Sequence, residues 1–146
     1  MTTIAYKDGV IAYDSRQTRN GSIVSDSCSK CEIVNGVMFL LSGAVCDEKA
    51  LIAAYFGTPS KDPVESSGFV VDGGNLLLVG HCDKTGVWRQ PLDHANADAI
   101  GSGSPFALAA MDMGATAEEA VRAAMKRDIY TGGEVHVLML GEGATK

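Results

Sequence analysis

The chain has 146 residues, 46% of them hydrophobic and 21% charged, with 18 acidic against 12 basic side chains and a formal net charge of -6. This length makes one domain, residues 1–146, large enough for a core of its own. The acidic balance excludes a nucleic-acid or anionic-membrane surface, and the absence of a long apolar run excludes a helical bilayer span. The first residues show no charged-then-apolar signal pattern, so the expected compartment is the cytoplasm. There Cys28, Cys31, Cys46 and Cys82 read as free thiols.

In chain order, Thr2–Lys7 and Gly9–Asp14 are short apolar-rich runs joined at Asp8-Gly9, a two-residue hairpin signal. Arg16–Gly21 is polar and turn-forming. Ser22–Val34 reads as strand up to a second turn at Asn35-Gly36, and Val37–Leu41 is a continuous apolar run that fits a strand covered on both faces. Ser42-Gly43-Ala44 ends it. Asp47 is the expected N-cap of a helix carrying Ala50, Leu51, Ala54 and Tyr55 at helical spacing and stopping at Gly57. After a Pro/Ser-containing loop, Thr58–Ser67, three short strands follow at Phe69–Val71, Asn75–Gly80 and Val87–Gln90.

Ser104-Pro105 predicts an N-cap with proline at the first helical position, the helix ending before Gly114. Thr116-x-x-Glu119 is a capping box opening a further helix. Its apolar stripe is Ala117, Ala120, Val121, Ala124 and Met125, and the next position on that stripe is Asp128. A carboxylate on a buried face needs a partner, and the nearby helix C-terminus repels it. Glu134–Leu140 is a final alternating strand. The pattern is α+β, economically solved by two mostly antiparallel sheets between helices.

Thr2 stands directly behind Met1, and a small second residue permits methionine removal. One residue would then hold both a hydroxyl nucleophile and an α-amine whose pKa of about 7.7–8.0 lets it act as a base near neutrality. Two competing chemistries are weaker. Cys28-Ser-Lys-Cys31 on a strand would send its sulfurs to opposite faces, whereas a zinc or redox pair needs them convergent. Gly101-Ser-Gly-Ser104 lacks the lysine and spacing of a phosphate-binding loop. No metal and no cofactor is expected.

Thr2-Thr3-Ile4-Ala5, Asp14-Ser15-Arg16-x-Thr18, Lys30, Ser42-Gly43, Gly101-Ser102-Gly103-Ser104 and Arg127-Asp128-x-Tyr130-Thr131-Gly132-Gly133 occur in one order. This ordered set resembles the proteasome β-type subunits and the related peptidase subunit of the bacterial ATP-dependent two-component protease, both N-terminal nucleophile (Ntn) hydrolases. The match spans nearly all of the first 46 residues and again about Ala99 to Leu140. The resemblance implies a four-layer αββα sandwich and a threonine peptidase that forms an acyl-enzyme on Thr2 once Met1 is gone. It implies that Lys30, held charged by Asp14, stabilises the alkoxide, that Ser102, Asp128 and Thr131 orient the amine, and that the Gly43 N–H serves the oxyanion hole. An extended substrate would lie between Thr18 and the segment around Val45, with Gln17, Cys28, Glu32, Leu41 and Val45 lining the specificity pocket.

Implied partners are a peptide or unfolded protein substrate, further copies of the chain in a homo-oligomer, and an ATP-dependent unfoldase. The chain departs from the family pattern between Gly43 and the later strands, where one short helix stands in place of two long ones; the missing helix is one that family members use to pack subunits and rings. The helical layer is therefore shortened, and oligomer geometry is the least transferable feature. With no long propeptide expected, activation needs only methionine removal. The alternatives are a catalytically silent assembly or binding module and an Ntn amidohydrolase acting on a small-molecule amide.

Overall fold

Three tight turns set the register of the first third of the chain. In the computed structural model, which describes residues 2–140, Asp8-Gly9, Asn20-Gly21 and Asn35-Gly36 share one geometry, with φ of 51° at the first residue and 77–79° at the glycine. The twist of such turns matches that of antiparallel strands. They join β1 (Thr3–Lys7) to β2 (Val10–Tyr13), β3 (Gln17–Arg19) to β4 (Ser22–Ser25), and β5 (Cys31–Val34) to β6 (Val37–Gly43). A short 3-10 turn, Val45–Asp47, leads into α1 (Glu48–Tyr55). Then come β7 (Ser66–Asp72), β8 (Asn75–Cys82), β9 (Gly86–Pro91), β10 (Asp98–Gly101), α2 (Ser104–Asp112), α3 (Ala117–Met125) and β11 (His136–Met139).

The strands form a four-stranded sheet ordered β10-β1-β2-β11, a five-stranded sheet ordered β5-β6-β7-β8-β9, and a separate β3–β4 ribbon. Every pairing is antiparallel. Side-chain size decides which face of the first sheet meets which layer. Ala99, Ala5 and Ala12 stand side by side across three strands and pack against Ala107, Met111, Ala120 and Val121 of α2 and α3. Their small side chains let two helices lie close to the sheet. The alternate positions Ile4, Tyr6, Ile11 and Tyr13 turn the other way and meet Leu40, Phe69 and Leu76 of the second sheet. The outer face of that second sheet, with Phe39, Leu41, Val70 and Val79, is covered by Leu51, Ile52 and Tyr55 of α1. The layers are therefore α2/α3, sheet, sheet, α1. Each large side chain buried between them contributes about 1.5–3 kcal/mol.

The capping box of α3 forms as expected: Thr116 Oγ1 accepts from the Glu119 N–H, and the Thr116 N–H donates to Glu119 Oε1 at 2.9 Å. Other boundaries differ from the sequence reading. Asp47 stands at the N-cap of α1 as expected, but its backbone is already helical there and its side chain makes no capping hydrogen bond. Its carboxylate instead accepts from the Glu65 N–H at 2.8 Å, pinning the long loop to the start of β7. Gly103, not Ser104, is the N-cap of α2, which moves Pro105 one position further into the helix. The stretch Ser22–Val34 is two strands separated by a non-strand segment at residues 26–30. Two short strands, β3 and β10, were not expected; β3 has little apolar alternation to signal it and β10 only the pair Ala99-Ile100.

Among the described residues, α1 is the one helix covering the five-stranded sheet, and Leu51 at its centre is fully buried. Leu51→Ala should cost about 2–5 kcal/mol in denaturant unfolding through lost transfer energy and the remaining cavity. A loss below about 1 kcal/mol would mean that this layer adds little to the fold.

Candidate active site

Thr2 lies at the entrance to β1, which runs in the middle of the four-stranded sheet between β10 and β2. The β1–β2 hairpin returns the chain to the same end, so that Asp14 follows the last residue of β2 and its N–H donates to the Thr3 carbonyl at 3.3 Å. Asp14 is wholly buried. Its Oδ1 accepts from the Thr3 N–H at 3.1 Å, from Lys30 Nζ at 2.8 Å and from the Thr2 hydroxyl. Its Oδ2 accepts from the backbone N–H groups of Gly132 at 3.0 Å and Arg16 at 3.3 Å.

Lys30 arrives from the non-strand segment before β5, and its ammonium donates to the Thr2 hydroxyl oxygen as well as to Asp14. Its side chain is only 9% exposed. Burial pulls the lysine pKa below its ordinary value, and the adjacent Asp14 charge offsets this only in part. The result is a cation in direct contact with a hydroxyl oxygen, the position from which it would best stabilise negative charge developing there.

A second carboxylate stands on the other side of Thr2. Asp128, just beyond α3, is buried on the helical stripe where its position places it. Its Oδ2 accepts from Ser102 Oγ and Thr131 Oγ1, each at 2.6 Å, and its Oδ1 from the Tyr130 N–H at 3.1 Å. Burial works against the charge, yet these donors outweigh it and leave the carboxyl below the usual aspartate range. Ser102 Oγ also stands 3.4 Å from the Thr2 carbonyl oxygen. Since its single proton is committed to the short bond with Asp128, that second contact is weak.

Two glycines allow the strands to close around Thr2. Gly101 has φ +96°, and a Cβ there would stand 1.9 Å from the Thr2 carbonyl oxygen. Gly43, at the end of β6, has φ +108°, and a Cβ there would stand 2.3 Å from the Glu65 carbonyl oxygen. The hydroxyl of its neighbour Ser42 lies 3.3 Å from the same point over Gly101, which puts the Ser42-Gly43 corner beside Thr2.

Thr2, Asp14, Lys30, Ser102, Asp128 and Thr131 thus converge through hydrogen bonds, and Gly43 borders them. The residues expected to contact substrate are more dispersed. Gln17 and Thr18 are half-buried in β3, Cys28 is half-buried two residues before Lys30, and Glu32 is exposed on β5. Val45 is exposed at the start of the 3-10 turn, whereas Leu41 is withdrawn into the core beneath α1. The expected removal of Met1 concerns a residue outside those described.

Sequence reasoning missed Thr3, whose hydroxyl meets Thr131 Oγ1 at 2.7 Å. It also missed the frame that holds the loop after α3. Arg16 Nε and Nη2 donate to the two oxygens of Asp26 at 2.8 and 3.2 Å, and Nη1 donates to the Ile129 carbonyl at 3.0 Å. Gly132 lies flat against that guanidinium, where a Cβ would come within 2.4 Å of Cζ. The Arg16 and Gly132-Gly133 positions within the ordered blocks were the available signal. A cavity of about 360 Å³ opens between this loop and the β3–β4 ribbon, lined by Thr18, Ile23, Met125, Asp128 and Tyr130 among others.

No protein-family model matches the chain, and no curated protein matches it. Solved structures do. Eukaryotic HslV from Trypanosoma brucei is similar over 97% of this chain and 99% of its own, with 19% identity and a TM-score of 0.70. BPH of Thiobacillus denitrificans is similar over 97% of this chain and 98% of its own, with 23% identity and a TM-score of 0.65. The same protein in complex with epoxomicin aligns over 96% and 98%, with 22% identity and a TM-score of 0.65. Two antiparallel sheets stacked between helical layers, matched end to end by HslV and BPH, give this chain the proteasome-β-like fold, the sandwich of the Ntn hydrolases.

Proposed function

We propose that the chain is an N-terminal-threonine peptidase that hydrolyses peptide bonds through an acyl-enzyme on Thr2. The observation that carries the reading is the placement of one buried hydroxyl, Thr2 Oγ1, between the Lys30 ammonium and the Asp14 carboxylate within this fold. Removal of Met1 frees the Thr2 amine. That amine takes the hydroxyl proton, directly or through a water, as Oγ1 attacks the carbonyl carbon of the peptide bond. Lys30 stabilises the charge developing on Oγ1, and the Gly43 N–H donates to the carbonyl oxygen as it becomes an oxyanion. The Thr2 amine, now protonated, gives that proton to the departing amine as the peptide C–N bond breaks, leaving an ester on Thr2. Water, deprotonated by the amine, attacks the ester; the amine returns that proton to Oγ1 as the acyl–oxygen bond breaks, releasing the carboxylic acid and restoring the hydroxyl. Asp128, Ser102 and Thr131 keep the amine oriented in both halves.

An extended substrate would run between Thr18 and the segment around Val45, adding main-chain hydrogen bonds. Gln17, Cys28, Glu32 and Val45 would face its side chain, over a floor closed by Leu41. The proposed protein is a homo-oligomer acting in the cytoplasm on peptides or unfolded protein, supplied by an ATP-dependent unfoldase. No helix among the described residues is long and apolar enough to cross a membrane. The exposed apolar side chains Ile33, Trp88, Phe106 and Met139 on edge strands and α2 favour assembly.

The decisive experiment combines intact-mass measurement of the mature N-terminus with labelling by epoxomicin, a peptide epoxyketone. Wild-type chain beginning at Thr2 should gain one adduct and hydrolyse peptides, whereas Thr2→Ala should do neither. Demethionylated wild type without an adduct would sink the proposal. Lys30→Ala should lower kcat/KM at least about 100-fold, the scale of losing one preorganised electrostatic partner of the transition state. The pH profile tests the same group. Lys30 must stay protonated, and burial has lowered its pKa, so kcat/KM should decline on the alkaline side below the pH at which an exposed lysine titrates. A profile that stays flat up to that pH contradicts this role for Lys30.

A further inference from the structure

We propose that Thr3, the second threonine, is a positioning residue that locks the two carboxylates flanking the nucleophile into one unit. This rests on the peptidase reading above. Thr3 is fully buried and is bound in two directions at once. Its backbone N–H donates to Asp14 Oδ1 at 3.1 Å, the oxygen that also holds Lys30. Its hydroxyl lies 2.7 Å from Thr131 Oγ1. Thr131 has spent its own proton on Asp128 Oδ2 at 2.6 Å, so in the contact between the two threonines Thr3 is the donor. The protons therefore all point the same way, from Thr3 to Thr131 to Asp128, and hydrogen bonds aligned in series polarise and strengthen one another.

The surroundings are shaped for this pair of hydroxyls. A Cβ at position 103 would stand 2.0 Å from Thr3 Oγ1 and 3.0 Å from Thr131 Oγ1, so a glycine is what leaves them room. A buried strand position asks only for a β-branched side chain, and valine would meet that demand. What valine lacks is the proton for Thr131. Without it, Thr131 Oγ1 keeps an unmet lone pair in a dry site, and nothing opposes its rotation away from Asp128. Because Thr3 is covalently next to Thr2 and paired opposite Gly101, a shift there displaces the nucleophile relative to Asp14 and Asp128 together.

The test uses the full chain carrying Thr3→Val or Thr3→Ser, with peptide kinetics and melting temperature measured on each. The expected result is a kcat at least about tenfold lower in Thr3→Val with KM nearly unchanged, and recovery to within about threefold of wild type in Thr3→Ser. A Thr3→Val enzyme as active as wild type overturns the proposal, as does a serine variant no better than the valine one. Where Thr3→Val does not fold, Thr3→Cys keeps a similar shape with a weaker donor, and its kcat should fall below that of Thr3→Ser without vanishing; wild-type kcat there counts against the relay. A wild-type chain that cleaves no peptide and takes no epoxyketone defeats the peptidase reading instead. The relay is then judged by a double-mutant cycle of Thr3→Val with Thr131→Val on melting temperature: non-additive losses support it, and additive losses overturn it.

Discussion

Asp14 has no contact with solvent and holds a cation, so the protein must supply every donor its two oxygens need. It does so from several separate segments: the entrance to β1 gives the Thr2 hydroxyl and Thr3 N–H, the following residue pair gives the Arg16 N–H, the segment before β5 gives Lys30, and the loop after α3 gives the Gly132 N–H. An ion pair out of water loses hydration worth several kcal/mol per ion and keeps its charge only where such donors are complete. Parts of the chain separated by more than a hundred residues must therefore be correctly placed before this carboxylate is tolerated. The site and the folded state are specified by the same contacts.

The layers explain how that convergence is reached. A sheet whose one face is alanine and whose other face is Ile4, Tyr6, Ile11 and Tyr13 has no choice of orientation. Two helices fit against the alanines, and a second sheet is required by the large side chains. Once β1 is fixed in this way, the strand ends at Thr2, Asp14 and Gly101 all lie at one edge. The end of β6 reaches the same edge from the other sheet. Thr2 thus stands at the end of a buried central strand, while the segments that approach it are loops tied down by specific polar contacts.

Much of this was legible in the sequence. The hairpins at Asp8-Gly9 and Asn35-Gly36 announce themselves by residue type, and the capping box at Thr116 by spacing. Asp128 stood out as a charge on an apolar stripe, and the resemblance named its partners. What stayed hidden has a physical cause in each case. Asn20-Gly21 makes the same turn as its two counterparts, but the short, largely polar strands on either side give no alternation around it. β10 is bracketed by glycine and by short polar residues, and its existence depends on pairing with β1 rather than on its own pattern. Asp47 sits at the cap its composition announces, but the 3-10 turn before it leaves its backbone helical, and its carboxylate accepts from the Glu65 N–H instead of capping the helix. Thr3 looked like a strand former, because no sequence pattern shows which hydroxyl a buried threonine will face.

The unequal helical layers also divide the molecule dynamically. α2 and α3 seal one side with two helices packed on each other, whereas the other side depends on the eight residues of α1 and the loop that follows. Amide exchange in proteins proceeds through local openings, and an opening costs more free energy the more apolar surface it exposes to water. Protection should therefore be deeper in β1 and β2 than from Val45 through the loop ahead of β7. Those labile residues form the rim next to Thr2, and the rigid ones form its floor. Such a division leaves the rim free to adjust, on the timescale of loop motion, without loosening the groups that hold the Thr2 hydroxyl.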